Sequence, residues 1–500
     1  MPIDDLFADG KKPNLVFIIT DQERALMHWP DDFAEKNLPA LSRLMNNGLS
    51  FHQAFTNVCC CSPSRATLLT SRYPSDHGVT TTGSPQPPFS LPKDLTNLAT
   101  VLNKAGYRCE WRGKWHLGGV GPEDYGFNGW VPPDAGNYLS LNDTLGAGTP
   151  DNDGRFLDEI MEFLDSQKDD SNDQPFCLVA SFVNPHDVYV AQYEADGEFG
   201  YTPEDFNRVS VPLPSNAFED LEYNNKPRGQ LIMSMPFVPF ENSPQDYVNF
   251  YAYLHTIVDR QIMQLLQKLD EKKLTDNTLI VRFADHGEQN LNHSLVEKLV
   301  NAYEESIRIP FIFSNPIVFP EGQTTDALAS SMDLVPTVAH LLGVADEYPD
   351  KFVGADISPI LKNPNESVQD SIHFVYDDIP CSRSPSIIRC IRTSRYKYAV
   401  YFTKDGMDAD WELYDLKHDP DENDNRAGWD KYAEVQSYLD KKLQELMKEK
   451  NTMPTNFTWP PKETDESRGT KKSQEAPLTR TTELDASSTG SRRKCILAGA

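Results

Sequence analysis

Three stretches of this chain are apolar almost without interruption and stop abruptly at polar residues. Asn14-Leu-Val-Phe-Ile-Ile-Thr20 ends at Asp21-Gln22, Phe176-Cys-Leu-Val-Ala-Ser-Phe-Val183 at Asn184-Pro185-His186-Asp187, and Thr278-Leu-Ile-Val-Arg-Phe-Ala284 at Asp285-His286-Gly287. Short continuous runs of this kind are the pattern of strands buried on both faces of a parallel sheet. Open α/β sheets place their sites in the crevice beyond the carboxyl ends of the strands, so the polar residues delivered there are predicted to converge. Between the strands lie helical stretches, Leu38 to Asn47 and Pro244 to Leu274, the second opened by Ser243-Pro244 as N-cap and first-turn proline. The alternation predicts an α/β fold, a large mixed, mostly parallel sheet sandwiched by helices.

The pattern changes twice. From about 189 to 242 the chain is rich in Pro, Asn, Asp and aromatics with weak periodicity, which predicts a long irregular insertion near the active face. After Ile360-Leu361, Ile387-Ile-Arg-Cys-Ile-Arg392 and Tyr396-Lys-Tyr-Ala-Val-Tyr-Phe402 alternate like antiparallel strands ahead of a helix at about 430 to 449. A chain of 500 residues exceeds what one core usually organises. We therefore expect an N-terminal extension at 1–12, a catalytic domain at 13–365 and a smaller C-terminal domain of antiparallel sheet plus helix at 366–455. Residues 456–500 carry too few large apolar groups to offset ordering entropy and read as a tail that is disordered or docks on a partner.

Composition narrows the function. With 47 Lys+Arg against 75 Asp+Glu the formal charge is −28, which repels nucleic-acid phosphates and anionic lipid. An anionic substrate remains feasible only where local cations override that field. The opening residues MPIDDLFADGKKPN contain no apolar leader core, and no run of about eighteen apolar residues occurs. The expectation is a cytoplasmic protein without nucleic-acid or membrane partners. Cysteines 59, 60, 61, 109, 177, 381, 390 and 495 show neither disulfide-scaffold nor zinc-site spacing, which suits a reducing compartment.

Cys61-Ser62-Pro63-Ser64-Arg65, followed by Ala-Thr-Leu-Leu-Thr-Ser-Arg72, sets a cysteine at the head of a helix whose exposed amides favour an anion. The pentapeptide resembles the C-x-P-S-R signature of the formylglycine-dependent sulfatases of the alkaline-phosphatase superfamily. Residues 14 to 21, 61 to 78, 113 to 118, 184 to 187, 285 to 288, 298 to 310 and Trp411-Glu-Leu-Tyr-Asp-Leu416 match that family in order. The resemblance implies hydrolysis of a small-molecule or saccharide sulfate monoester, with Cys61 oxidised to 3-oxoalanine (formylglycine) by a formylglycine-generating enzyme. It also implies a divalent cation held by Asp21, Gln22, residue 61, Asp285 and His286. The hard oxygen donors suit Ca²⁺ or Mg²⁺, and the nitrogen donor leaves Mn²⁺ open. The commoner family pattern has Asp where Gln22 stands and often Asn where His286 stands.

By the same resemblance, Lys114 and Lys298 hold sulfate, His116 accepts a proton from the nucleophile's second hydroxyl, His186 protonates the leaving oxygen and Arg65 orients residue 61. Two other readings compete. Asp-Gln paired with Asp-His also resembles phosphonate monoester and phosphodiester hydrolases, although Lys114-x-His116 favours a sulfatase. An unmodified Cys61 would instead leave a sulfate-ester binder that turns nothing over. The sequence leaves a homo-oligomer open and names no alcohol. Cys61→Ala should abolish turnover with folding intact, whereas Cys59→Ala and Cys60→Ala should keep it, since only Cys61 has proline two and arginine four positions on. Activity assays beside a circular-dichroism melt check this.

Overall fold

The computed structural model describes residues 6, 12–82, 90–118, 120–135, 152–167, 174–192, 201, 204–234, 243–378, 384–404, 406, 408–454 and 459–460. The apolar runs form strands: β1 is Asn14–Asp21, β2 Gly48–Phe55, β3 Arg108–Gly113, β4 Phe176–Pro185, β5 Thr278–Ala284, β6 Phe311–Ser314 and β7 Gln323–Ser330. They make one seven-stranded sheet in the order β3-β4-β1-β5-β6-β2-β7. Every neighbouring pair is parallel except the two that involve β6.

Strand periodicity explains why the central runs lack polar positions. In β1, Leu15, Phe17 and Ile19 face one apolar cluster, where Leu68, Leu69, Val101 and Val335 lie. Val16 and Ile18 face a second cluster with Leu41, Val258, Ile262 and Leu266. Helices therefore cover both faces, and a strand with no solvated side has no polar register. The helix Pro244–Glu271 begins as the sequence indicates. Ser243 Oγ accepts from Asp246 N at 3.2 Å, and Asp246 Oδ2 accepts from Ser243 N at 3.0 Å, a reciprocal cap that satisfies two otherwise orphaned amides. The helix expected over Leu38 to Asn47 spans Pro39–Asn46.

In the segment expected to be irregular, Arg228–Ser234 is a helix. Its backbone and guanidinium are tied to Asp410 and Asp408 of the C-terminal region, contacts invisible in local periodicity. That region contains β8 (Ser371–Tyr376), β9 (Ile387–Thr393), β10 (Tyr396–Phe402) and β11 (Ala409–Asp415) in an antiparallel sheet of order β11-β10-β9-β8. The helix Ala433–Glu449 packs Leu439, Leu443 and Met447 on one face of it. The opposite face, through Phe374, Ile388, Cys390 and Tyr401, meets Cys59, Cys60, Leu299 and Tyr303. The smaller sheet thus backs the segments that flank Cys61 and Lys298. Within the expected tail, Trp459 Nε1 donates to Asp440 Oδ1 at 2.9 Å. The rest of 456–500, apart from Pro460, and all of 1–12 except Leu6 and Lys12 lie outside the described residues.

Asp259, buried in the long helix, accepts Ala40 N and Leu41 N at 2.9 Å each and so caps the helix Pro39–Asn46 from across the layer. Asp259→Ala should leave both amides unsatisfied and cost about 1–3 kcal/mol. Urea unfolding should show a lower midpoint at unchanged slope.

Candidate active site

Strand order decides which side chains meet. β3, β4, β1 and β5 are consecutive neighbours and run in one direction, so Lys114, His186, Asp21 with Gln22, and Asp285 with His286 emerge side by side from one sheet edge. Gly113 sits at φ +98°, and a Cβ there would stand 1.9 Å from the carbonyl oxygen of Ser181. Only glycine lets β3 turn so closely past β4 to deliver Lys114.

Cys61 arrives from elsewhere, at the start of the fully buried helix Cys61–Thr70, preceded by Cys60 at φ +75°. Arg65, one turn on, fastens this helix to the strand ends. Its Nε donates to Asp285 Oδ2 at 2.9 Å and its Nη2 to Asp21 Oδ2 at 3.0 Å. Its Nη1 reaches Ser181 Oγ at 2.9 Å and Lys114 O at 3.1 Å. Lys114 Nζ pairs with Asp21 Oδ2 at 2.6 Å. Ser64 Oγ adds a bond to Asp285 O at 2.6 Å. The cations thus occupy the Oδ2 side of both carboxylates.

The Oδ1 side faces different company. His286 Nε2 lies 3.9 Å from Asp21 Oδ1 and 3.7 Å from Asp285 Oδ1, and Cys61 Sγ lies 3.3 Å from that nitrogen and 3.5 Å from Asp21 Oδ1. His286 Nδ1 is 3.0 Å from Gly287 O, a pure acceptor, so Nδ1 carries the proton and Nε2 offers its lone pair. Burial above all holds this imidazole below the usual histidine range, in the neutral form a ligand needs. The donor atoms of Asp21, Cys61, Asp285 and His286 all lie within 4.8 Å of one another. Ligating oxygens stand roughly 2.0–2.6 Å from Ca²⁺ or Mg²⁺, so one ion can span such a group. Electrostatics points the same way. Burial works to raise Asp21, but Lys114 foremost, with His186, Arg65 and His286, holds its carboxyl well below the usual range. Burial and then the charge of Asp21 push Asp285 up. Two buried carboxylates at such close quarters favour a cation between them.

The side chain of Gln22, expected among the ligands, bridges a lysine and two acids. Its Oε1 accepts from Lys298 Nζ at 2.8 Å, and its Nε2 donates to Glu288 Oε2 at 2.5 Å and Glu297 Oε2 at 3.2 Å. Lys298 therefore joins the site through Gln22. His116 and His186 are both buried, and burial, then the charge of Lys114, pushes each imidazole well below the usual histidine range. The thiol of Cys61 is pushed up to about 12, by burial first and Asp21 second.

Supporting residues escaped the sequence reading. Asp134 receives Trp115 N at 2.9 Å and His116 N at 2.6 Å and so holds His116 at φ +56°. Asp153 receives Val183 N at 2.6 Å and Asn184 N at 2.8 Å, bracing the strand end before His186. No local signal marks either acid. Glu288 and Glu297 were legible as acids beside the motifs, although nothing in the spacing showed them meeting Gln22.

Comparison with known proteins agrees with this geometry. Residues 13–344 match the family model described as Sulfatase, and residues 292–449 match one described as N-sulphoglucosamine sulphohydrolase, C-terminal. The chain is 26% identical to an N-acetylglucosamine-6-O-sulfatase of Bacteroides thetaiotaomicron, over 88% of this chain and 87% of that one. It is 27% identical to a choline-sulfatase of Rhizobium meliloti, over 83% and 82% respectively. Its fold is shared with a protein solved in complex with its substrate D-glucosamine-2-N,6-O-disulfate, at a TM-score of 0.71 and 24% identity over 89% of this chain and 99% of that chain. A phosphonate monoester hydrolase of Agrobacterium radiobacter shares the scaffold at a TM-score of 0.66 and 20% identity, covering 88% and 96%.

Ca²⁺, Mg²⁺ or Mn²⁺ should stabilise the protein, by about 2.7 kcal/mol at a free concentration a hundredfold above Kd. Asp285→Asn should remove most of that gain. Thermal melts across a cation titration check both, and a parent protein indifferent to all three ions would count against the four-residue donor set.

Proposed function

The chain belongs to the sulfatase family, sulfuric ester hydrolases of the alkaline-phosphatase superfamily, and we propose that it cleaves a saccharide sulfate monoester using a formylglycine made from Cys61. The observation that carries this reading is the convergence of Asp21, Asp285 and His286 on Cys61, with Arg65 and Lys114 packed against the same carboxylates. The likeness to an N-acetylglucosamine-6-O-sulfatase and to a protein solved with a glucosamine disulfate supports a saccharide ester.

Formylglycine, as its hydrate, would supply one hydroxyl to attack sulfur and a second that, on losing its proton, re-forms the aldehyde and expels the sulfate carried by the first oxygen. Asp21, Asp285, His286 and residue 61 would hold a divalent cation, with Ca²⁺ favoured by the carboxylates and Mg²⁺ or Mn²⁺ compatible, and it supplies Lewis-acid polarisation when bound. The protein's own groups do the rest. Lys114 and Lys298 offset the negative charge on the sulfuryl oxygens, and Arg65 keeps residue 61 in register with the carboxylates. His116 is neutral through burial and Lys114, as a proton acceptor for the second hydroxyl must be. His186 is likewise neutral before substrate arrives. An incoming anion opposes the repulsion from Lys114 and raises the imidazole, so that it can protonate the departing oxygen. A formylglycine-generating enzyme in the same compartment is the partner this chemistry requires, and we place both in the cytoplasm.

Conversion of Cys61 to the aldehyde should lower the mass of its peptide by about 18 Da, the difference between a thiol and a carbonyl at that carbon. Full turnover by protein whose peptide retains the cysteine mass would overturn the nucleophile assignment. His186→Ala should slow an alkyl or sugar sulfate on the order of 10² to 10⁴ more than a nitrophenyl sulfate, whose anion leaves unaided. Comparison of kcat/KM for both esters checks this, and equal losses would assign His186 to binding instead.

A further inference from the structure

After β5 the backbone is repeatedly left-handed: Asn290, Leu291, His293, Ser294, Glu297 and Val300 all have φ between 48° and 69°. Non-glycine residues tolerate that region only where the surroundings over-determine it, and such strain gathers at functional sites. Glu297 is the acid among these residues. Its side chain is 5% exposed, and its Oε1 is buried without a hydrogen-bond partner among the described residues. Burying a carboxylate with an unmatched oxygen is unfavourable, so its other contacts must compensate.

Those contacts form a clamp. Glu297 Oε2 lies 2.9 Å from Lys298 Nζ and 3.2 Å from Gln22 Nε2. Glu288 Oε2 takes the same Gln22 nitrogen at 2.5 Å, and Glu288 Oε1 accepts Tyr247 Oη, Asn290 N and Glu297 N at 2.9, 3.0 and 2.8 Å. An ammonium only donates, so the Gln22 amide turns its oxygen to Lys298, 2.8 Å away, and its nitrogen to the acids. The ammonium is thereby anchored by two acceptors. Gln22 directly follows Asp21, so the ammonium is held beside the reaction centre.

We propose that Glu297 is a positioning residue for the hydrolysis: with Gln22 it clamps the Lys298 ammonium where it meets the anionic head group, and Glu288 holds the clamp. This role rests on Lys298 being the sulfate-binding lysine of the proposed function. Bare electrostatics makes the opposite forecast, because a carboxylate beside an anion site repels the anion and its removal should tighten binding.

The test compares the parent with Glu297→Gly, Glu297→Gln, Lys298→Ala and the Glu297→Gly/Lys298→Ala pair. Inorganic sulfate is the probe, by calorimetry and as an inhibitor of nitrophenyl sulfate hydrolysis. Glycine is at ease at this φ, so Glu297→Gly should keep or raise Tm. Its sulfate affinity and kcat/KM should fall by about tenfold to a hundredfold, the scale of a misplaced binding group. Glu297→Gln, which retains an acceptor for Lys298, should recover part of that loss. In the Lys298→Ala background the Glu297→Gly effect should largely vanish, since nothing remains to be positioned. Unchanged or tighter sulfate binding by Glu297→Gly, or losses that multiply in the pair, would overturn the role. A lowered Tm with intact sulfate affinity would overturn it too, making Glu297 purely structural. A parent that hydrolyses no sulfate ester would sink the sulfatase reading instead, and sulfate calorimetry would still decide what Glu297 does.

Discussion

The guanidinium of Arg65 holds two carboxylates together that would otherwise repel each other. Asp21 ends β1 and Asp285 follows its parallel neighbour β5; both are fully buried, and each gives Arg65 one oxygen. A planar fork with fixed donors suits this task, and a lysine could not span both acids with defined geometry. The same side chain bonds the Lys114 carbonyl and Ser181, so one residue ties the helix bearing Cys61 to the ends of β1, β3, β4 and β5. Removing one partner from such a buried network typically costs about 3–5 kcal/mol, because the remaining charges keep their desolvation penalty.

From that constraint the rest of the site follows. With cations on the Oδ2 side, the Oδ1 atoms are left to face His286 and Cys61, and the donors gather at a separation suited to a divalent ion. The local positive charge of Arg65, Lys114 and Lys298 is what lets a protein of formal charge −28 accept an anion. Burial, then the charge of Lys114, holds both His116 and His186 well below the usual histidine range.

The second sheet contributes support rather than chemistry. Glu304, just past the strained segment, pairs with Arg392 at 3.2 Å and Lys397 at 2.9 Å of the C-terminal strands. Gln230 of the helix Arg228–Ser234 bonds Tyr303, Tyr401 and Glu412, joining three parts of the chain. These buried bonds hold the left-handed backbone around Lys298, and the apolar contact with Cys59 and Cys60 backs the segment that leads to Cys61.

By itself the sequence determined the strands that lead to the site and the residues at their ends. Continuous apolar runs report burial on both faces, and the polar residues that stop them are local features of the text. It also determined the motif around Cys61, because short segments carry their own signature. Only the tertiary structure decided that β3, β4, β1 and β5 are neighbours, that Asp134 and Asp153 brace the two histidine-bearing turns, and that Gln22 meets Lys298. The helix Arg228–Ser234 was hidden for the same reason, being stabilised by partners nearly two hundred residues on, such as Asp408 and Asp410. Periodicity records which face a residue presents, whereas the partner of a buried polar group is set by strand order and packing between segments far apart in the chain.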